Sequence, residues 1–162
     1  MKDIEVELKF RLADKETLLN FLQANATLTK ESSQKDSYFA PSHRDFFAKK
    51  PINEWLRVRE SSKGDSINYK NWKEKAGENL NYCDEYESKL ENPDEVKNIL
   101  LALDIKPVII VKKVRKSFLY HDIEISVDEV EELGGFVELE MKGEFDSPEA
   151  AKEKLRMVAD EL

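Results

Sequence analysis

The chain has 162 residues, with 34 acids against 26 bases and a formal charge of −8. One domain's worth of length with 40% hydrophobic residues can bury a core. The acidic balance disfavours nucleic-acid binding, which needs a net basic face. No stretch approaches the ~20 apolar residues that cross a bilayer, and the charged N-terminus lacks a signal-like apolar run. A soluble, cytoplasmic protein without membrane association is expected, as a single domain spanning 1–162. One cysteine, Cys83, excludes an internal disulfide and a thiolate metal cluster. His43 and His121 have no zinc-like spacing, so any metal must be held mainly by oxygen.

Two-residue alternation dominates the chain. In 4–12, the even positions Ile4, Val6, Leu8, Phe10 and Leu12 are apolar and the odd positions are charged. A strand places successive side chains on opposite faces, so this one has an oily face and an ionic face. Asp14 then caps a helix over 15–25, with Leu18, Leu19 and Leu22 at helical spacing. Strands follow at 27–39, 54–60, 66–74 and 80–90, with a loop at 41–53 that carries His43, Arg44 and Asp45. Asn92-Pro93 opens a second helix with Val96, Ile99, Leu100 and Leu103 on its stripe. Strands at 107–119, 121–128 and 135–142 come next, with His121 expected at a turn. Ser147-Pro148 opens a third helix with Ala151, Leu155, Val158 and Leu162 on one side. Long neighbouring strands without a βαβ rhythm predict an α+β fold, mainly antiparallel, partly covered by helices.

The charged faces carry the functional signal. Arg57 and Arg59 share a face, as do Glu85 and Glu87, Lys113 and Arg115, and Glu138 and Glu140. Glu124, Ser126 and Asp128 lie opposite Ile123, Ile125 and Val127, and Lys70 competes with Lys73 for one cationic position. A half-exposed sheet is normally polar on its wet side. Carboxylate doublets on some strands and cationic doublets on others are more than that requires. Eight such strands are enough to close a barrel with an ionic lumen. Segregated acids and bases suit a polyanion bound through hard cations, the acids holding Mg²⁺ or Mn²⁺ and the bases phosphate oxygens. Tyr38, Phe39, Phe46, Phe47 and Trp55 are core or rim aromatics by default, with base stacking as the alternative.

Glu5-Val6-Glu7-Leu8-Lys9 is a Glu-x-Glu-x-Lys motif on the first strand. With Leu56-Arg57-Val58-Arg59-Glu60, Glu85-Tyr86-Glu87, Val111-Lys112-Lys113-Val114-Arg115 and the run 127–140, it resembles the CYTH superfamily of triphosphate tunnel metalloenzymes. Its class IV adenylyl cyclase branch is the most similar. The resemblance implies a closed eight-stranded antiparallel tunnel with helices packed outside. It assigns metal binding to Glu5, Glu7, Glu138 and Glu140, with Asp128, Glu85 and Glu87 as further ligands. It assigns the triphosphate to Lys9, Arg57, Arg59, Lys70, Lys113 and Arg115, with Lys9, Arg57, Arg59 and Arg115 in the catalytic role. Cys83 stands where related enzymes have an arginine. The implied activity is cyclisation of ATP to cyclic AMP and pyrophosphate. The alternatives are hydrolysis of tripolyphosphate, thiamine triphosphate or a nucleoside triphosphate, and non-catalytic polyanion binding. The sequence does not set the oligomeric state, and a homodimer stays open.

Overall fold

The computed structural model describes residues 4–74 and 81–162. The chain runs β1 (Ile4–Glu5), β2 (Glu7–Arg11), α1 (Lys15–Asn25), β3 (Thr27–Pro41), β4 (Glu54–Ser61), β5 (Asp65–Glu74) and β6 (Asn81–Leu90). It continues with α2 (Pro93–Ala102), β7 (Ile105–Tyr120), β8 (Ile123–Val130), β9 (Gly134–Met141) and α3 (Pro148–Glu161). These elements form two compact units, one centred on Ser33–Lys112 and the other on Glu5–Ser32 with Lys113–Leu162. The long strands β3 and β7 contribute to both.

In the first unit the strand order is β1-β6-β5-β4-β3-β7. β3, β4, β5 and β6 pair antiparallel in chain order, and a tight turn joins β4 to β5. Between β4 and β5, the Ser61 amide donates to Asp65 Oδ1 at 2.9 Å, and Gly64 takes φ +114°, a conformation that penalises any side chain. The core is Phe39, Val58 and Leu100, with Leu56, Ile67, Val96 and Ile105 against it. Helix α2 starts where Asn92 Oδ1 accepts the Glu95 amide at 3.1 Å. It is tied to β4 by Lys97 Nζ, 2.7 Å from Glu60 Oε2. The Lys97 ammonium holds the Glu60 carboxyl below its ordinary range.

In the second unit the order is β3-β7-β8-β9-β2, with α1 and α3 on its apolar face. Ile123, Ile125 and Val127 of β8 and Val137 and Leu139 of β9 meet Leu18 and Leu22 of α1 and Ala151, Leu155 and Val158 of α3. Burying each large side chain fully contributes about 1.5–3 kcal/mol before chain entropy is subtracted. Both helices carry a side-chain N-cap, Asp14 for α1 and Ser147 for α3.

The closed eight-stranded ring expected from the resemblance is corrected in one respect. Among the described residues there are nine strands, and the hydrogen-bonded order runs from β1 at one end to β2 at the other. The first expected strand changes ladder at Val6, whose carbonyl accepts the Met141 amide at 3.1 Å. The seventh expected strand, 121–128, also starts two residues later, at Ile123, because His121 takes φ 55° in the turn before it. The remaining strands and all three helices fall where the periodicity places them, with shifts of one or two residues at most.

Leu155 is fully buried, whereas Met157 on the same helix is 62% exposed. Leu155→Ala should therefore cost about 2–5 kcal/mol, and Met157→Ala no more than about 0.5. Urea denaturation followed by circular dichroism measures both; equal losses would show that α3 is not docked through this face.

Candidate active site

Strand register brings the alternating charges together. In the second unit, β2 pairs with β9 so that Glu7 faces Glu140 and Lys9 faces Glu138. On its other side β9 pairs with β8, setting Glu140 against Glu124 and Glu138 against Ser126. The β8–β7 ladder sets Asp128 opposite Arg115 and Ser126 opposite Ser117. Directly opposed residues share a face, so these side chains make one ionic surface, opposite the helices. Its acids gather at the Glu7–Glu140–Glu124 row and its bases toward Lys9, Lys113 and Arg115.

Asp128 organises the cationic end. It is fully buried, and Arg115 grips it through Nε–Oδ1 and Nη2–Oδ2, both at 2.6 Å. Lys113 Nζ reaches the same Oδ2 at 2.8 Å. Glu138 then accepts from Arg115 Nη2 and, at 2.7 Å, from Lys9 Nζ. Burial works against the charge on Glu138, yet Arg115, Lys113 and Lys9 outweigh it and hold the carboxyl well below its usual range. Burial also opposes the Arg115 charge, but Asp128 and Glu138 keep the guanidinium firmly protonated. Lys113 yields. Burial, helped by the neighbouring Arg115, brings its ammonium down to about 8.

The first unit builds a similar device. Asp36 on β3 is 1% exposed, and Arg59 on β4 grips it through Nε–Oδ1 at 2.6 Å and Nη2–Oδ2 at 2.7 Å. Arg57 Nη1 stands 3.6 Å from Asp36 Oδ2. Across the sheet, Arg57 opposes Asn68 and Asn68 opposes Glu87, while Lys70 opposes Glu85 with 3.6 Å between charged atoms. Ser66 donates to Glu87 at 2.8 Å, and Asn68 to Glu85. Tyr38 opposes Arg57, and Trp55 opposes Lys70. Those two rings therefore lie on the charged face, meeting edge to face at 5.6 Å, with Phe47 against Trp55 at 6.4 Å. Phe39 and Phe46 are buried.

The expected site residues thus separate into two groups. Glu7, Lys9, Lys113, Arg115, Asp128, Glu138 and Glu140 share the second unit's ionic face, and Arg57, Arg59, Lys70, Glu85 and Glu87 share the first unit's. The side chain of Lys73 lies outside the described residues. Cys83 is buried. Residues that sequence reasoning passed over include Glu124, Lys142 and the anchoring role of Asp36. The parity of Glu124 was legible, but its position beside Glu140 depends on a register that no single strand reveals.

A hard divalent cation suits the acidic end. Like charges directly opposed on neighbouring strands destabilise a sheet, and Glu7, Glu140 and Glu124 are three in a row. All are oxygen donors of the kind Mg²⁺ and Mn²⁺ prefer. Among the described residues no three such groups converge into a ready ligand set. Lys142 Nζ holds Glu140 Oε1 at 2.6 Å. Burial opposes the Lys142 charge, but Glu140, Glu124 and Glu5 raise its proton affinity above the ordinary lysine value.

Known proteins share this plan. The model of the CYTH domain matches residues 3–162. A protein of Methanocaldococcus jannaschii, provisionally named adenylate cyclase, is 34% identical over 138 residues, 85% of this chain and 76% of that one. A Pyrococcus horikoshii structure superposes with a TM-score of 0.80 at 27% identity, over 97% of this chain and 89% of that one. A Hippeastrum structure superposes with a TM-score of 0.67 at 19% identity, over 97% and 87%. It is provisionally named adenylyl cyclase and described as revealing a dominant triphosphatase activity. No helix among the described residues is long and apolar enough to cross a membrane.

The depressed Lys113 ammonium makes metal-free stability depend on pH. Its folded value of about 8 lies below the ordinary 10.5. Below pH 8 both folded and unfolded chains are protonated there, and Lys113 adds no slope. Between 8 and 10.5 the unfolded chain binds the proton and the folded chain releases it, so stability rises with pH. The urea midpoint of the wild type should therefore climb relative to that of Lys113→Met from pH 8 to 9.5. Parallel curves for the two proteins would refute the buried ammonium.

Proposed function

Because the chain belongs to the CYTH domain family, we propose that it is a divalent-metal-dependent enzyme that binds a triphosphate on its ionic sheet faces. In this reading it works as a single CYTH domain, and ATP cyclisation to cyclic AMP and pyrophosphate is the reaction favoured. The observation that carries the triphosphate is the pair of buried aspartates, Asp36 and Asp128, each orienting basic side chains on a neighbouring strand. A bidentate aspartate occupies the Nε–Nη2 edge of Arg59 and of Arg115, which leaves the Nη1 hydrogens as phosphate donors. Arg57 and Lys70 on the first unit's face, and Lys113 and Lys9 on the second's, add point charges suited to phosphate oxygens.

Glu5, Glu7, Glu124 and Glu140 would hold the metal, with Glu138, Glu85 and Glu87 as the remaining acidic positions on these faces. Asp128, both of whose oxygens are already gripped by cations, serves the phosphate clamp. A bound Mg²⁺ or Mn²⁺ supplies Lewis-acid stabilisation of negative charge on phosphoryl oxygens. The protein cations do the same by electrostatics already in place before reaction. For cyclisation the ribose 3′-oxygen forms a bond to the α-phosphorus, its proton is lost and pyrophosphate leaves. Tyr38 and Trp55 are half-buried rings beside arginine and lysine on the charged face, and they favour a nucleotide because an aromatic ring there can stack on a base.

The second reading is triphosphatase action, in which water attacks the γ-phosphorus, the diphosphate end departs through its β-phosphate oxygen, and orthophosphate forms. It is favoured by the triphosphatase activity described for the similarly folded Hippeastrum protein.

Incubation with ATP, 3′-deoxy-ATP and tripolyphosphate in Mg²⁺ or Mn²⁺ separates the readings. A cyclase releases cyclic AMP and pyrophosphate from ATP and nothing from the 3′-deoxy analogue. Orthophosphate from all three, with ADP, 3′-deoxy-ADP and pyrophosphate as the respective co-products and no cyclic AMP, would end the cyclase reading.

The aromatic contribution is separately testable. Trp55→Ala should raise KM for ATP about tenfold, the loss of roughly 1–1.5 kcal/mol of stacking, while tripolyphosphate binding stays within twofold. Equal weakening of both ligands would return Trp55 to a purely structural role.

A further inference from the structure

The β2–β9 ladder runs past its last strand pair. The Met141 amide donates to the Val6 carbonyl, and the register that sets Glu7 against Glu140 brings Lys142 opposite Glu5. The Lys142 amide also donates to the Asp122 carbonyl at 2.9 Å, so the residue stays in line with β9. Lys142 therefore shares a face with Glu138 and Glu140. Its ammonium enters the acidic end of that face, among Glu5, Glu140 and Glu124. Continued by the Met141–Val6 bond, the register puts Glu5 with Lys142 in one row, beside the row of Glu7, Glu140 and Glu124, so that Lys142 is the basic residue among these five.

We propose that Lys142 is a tethered counter-ion of the metal-binding carboxylates, occupying their acidic end without metal and competing with the divalent cation for them. The inference rests on the metal reading given above. A single ammonium offsets one of four carboxylates and uses its three donors to do so. A divalent ion offsets two and coordinates more oxygens. Both cannot occupy the same oxygens, and an ammonium held beside a divalent cation is repelled by it. Lys142 is 43% exposed on a long flexible stem, so it can swing into solvent when metal enters. It thus preserves an otherwise repulsive row in the metal-free protein and lowers metal affinity in return.

Mn²⁺ alone, added to metal-stripped protein and followed by electron paramagnetic resonance or calorimetry, provides the test without any turnover. Lys142→Met and Lys142→Gln should bind Mn²⁺ about tenfold tighter than the wild type. Lys142→Arg, which keeps the charge, should stay within about twofold. Lys15→Met, which removes an ion pair with Glu129 outside these rows, should also bind like the wild type. Unchanged or weaker binding in the neutral variants, with Mn²⁺ still binding the wild type, overturns the counter-ion and leaves the metal reading standing. Tightening in Lys142→Arg as well overturns it too, because charge would not be the cause. No Mn²⁺ binding in any variant removes both.

Discussion

A buried carboxylate that fixes the direction of an arginine is the interaction on which the candidate site depends. Asp128 and Asp36 are each withdrawn from water, a costly position for a charge. The cost is offset only when the partner geometry is near ideal, and bidentate contacts of 2.6–2.7 Å with Arg115 and Arg59 meet that condition. Such pairs add little net stability against an apolar replacement. What they supply is orientation: a guanidinium locked on one edge presents its other donors in a fixed direction. A ligand with several negative oxygens then meets donors that need no rearrangement.

The same physics separates the acids on the second unit's face into two classes. Glu138 is surrounded by Arg115, Lys113 and Lys9 and is held firmly ionised as a spacer between cations. Glu7, Glu140 and Glu124 instead stand beside one another. Repulsion within that row is a standing cost, lowered by any cation that enters. Net charge therefore says little about ligand sign here. A chain of charge −8 can still present a locally basic surface, because Arg115, Lys113 and Lys9 are gathered on one face and Arg57 and Arg59 on another.

Most of the fold was legible because parity and capping are local properties. Alternation in 4–12, the Asn92-Pro93 start and the Ser147-Pro148 start each depend on residues adjacent in the chain, and each element forms there. The break at Val6 was hidden, because a continuous apolar–charged alternation carries no mark of a change of ladder. The site divided along the same line. Which residues share a face of one strand was visible, so Arg57 with Arg59 and Lys113 with Arg115 could be named. Which residue stands opposite depends on register between strands far apart in sequence. Glu124 beside Glu140, Lys142 opposite Glu5 and Asp36 beneath two arginines were therefore beyond reach. Parity put Asp128 on the charged face, but its partners Arg115 and Lys113 on β7 come from register alone.

The arrangement constrains the triphosphate more tightly than it constrains the reaction. Cyclisation and hydrolysis place developing charge on the same kind of oxygen, so the same cations stabilise both. They differ in which phosphorus faces a nucleophile and in what that nucleophile is. The choice is a matter of where the phosphate chain comes to rest, and a base held at one end fixes that position. Tyr38 and Trp55 can hold one, because both rings stand on the charged face within the rows that carry Arg57 and Lys70. A nucleotide anchored there cannot slide freely along the cations, whereas bare tripolyphosphate can. On the proposed reading, the rings and the Arg57–Arg59 pair on the same face would discriminate between phosphorus atoms, which would make the aromatic positions the place where cyclase and hydrolase specificity part.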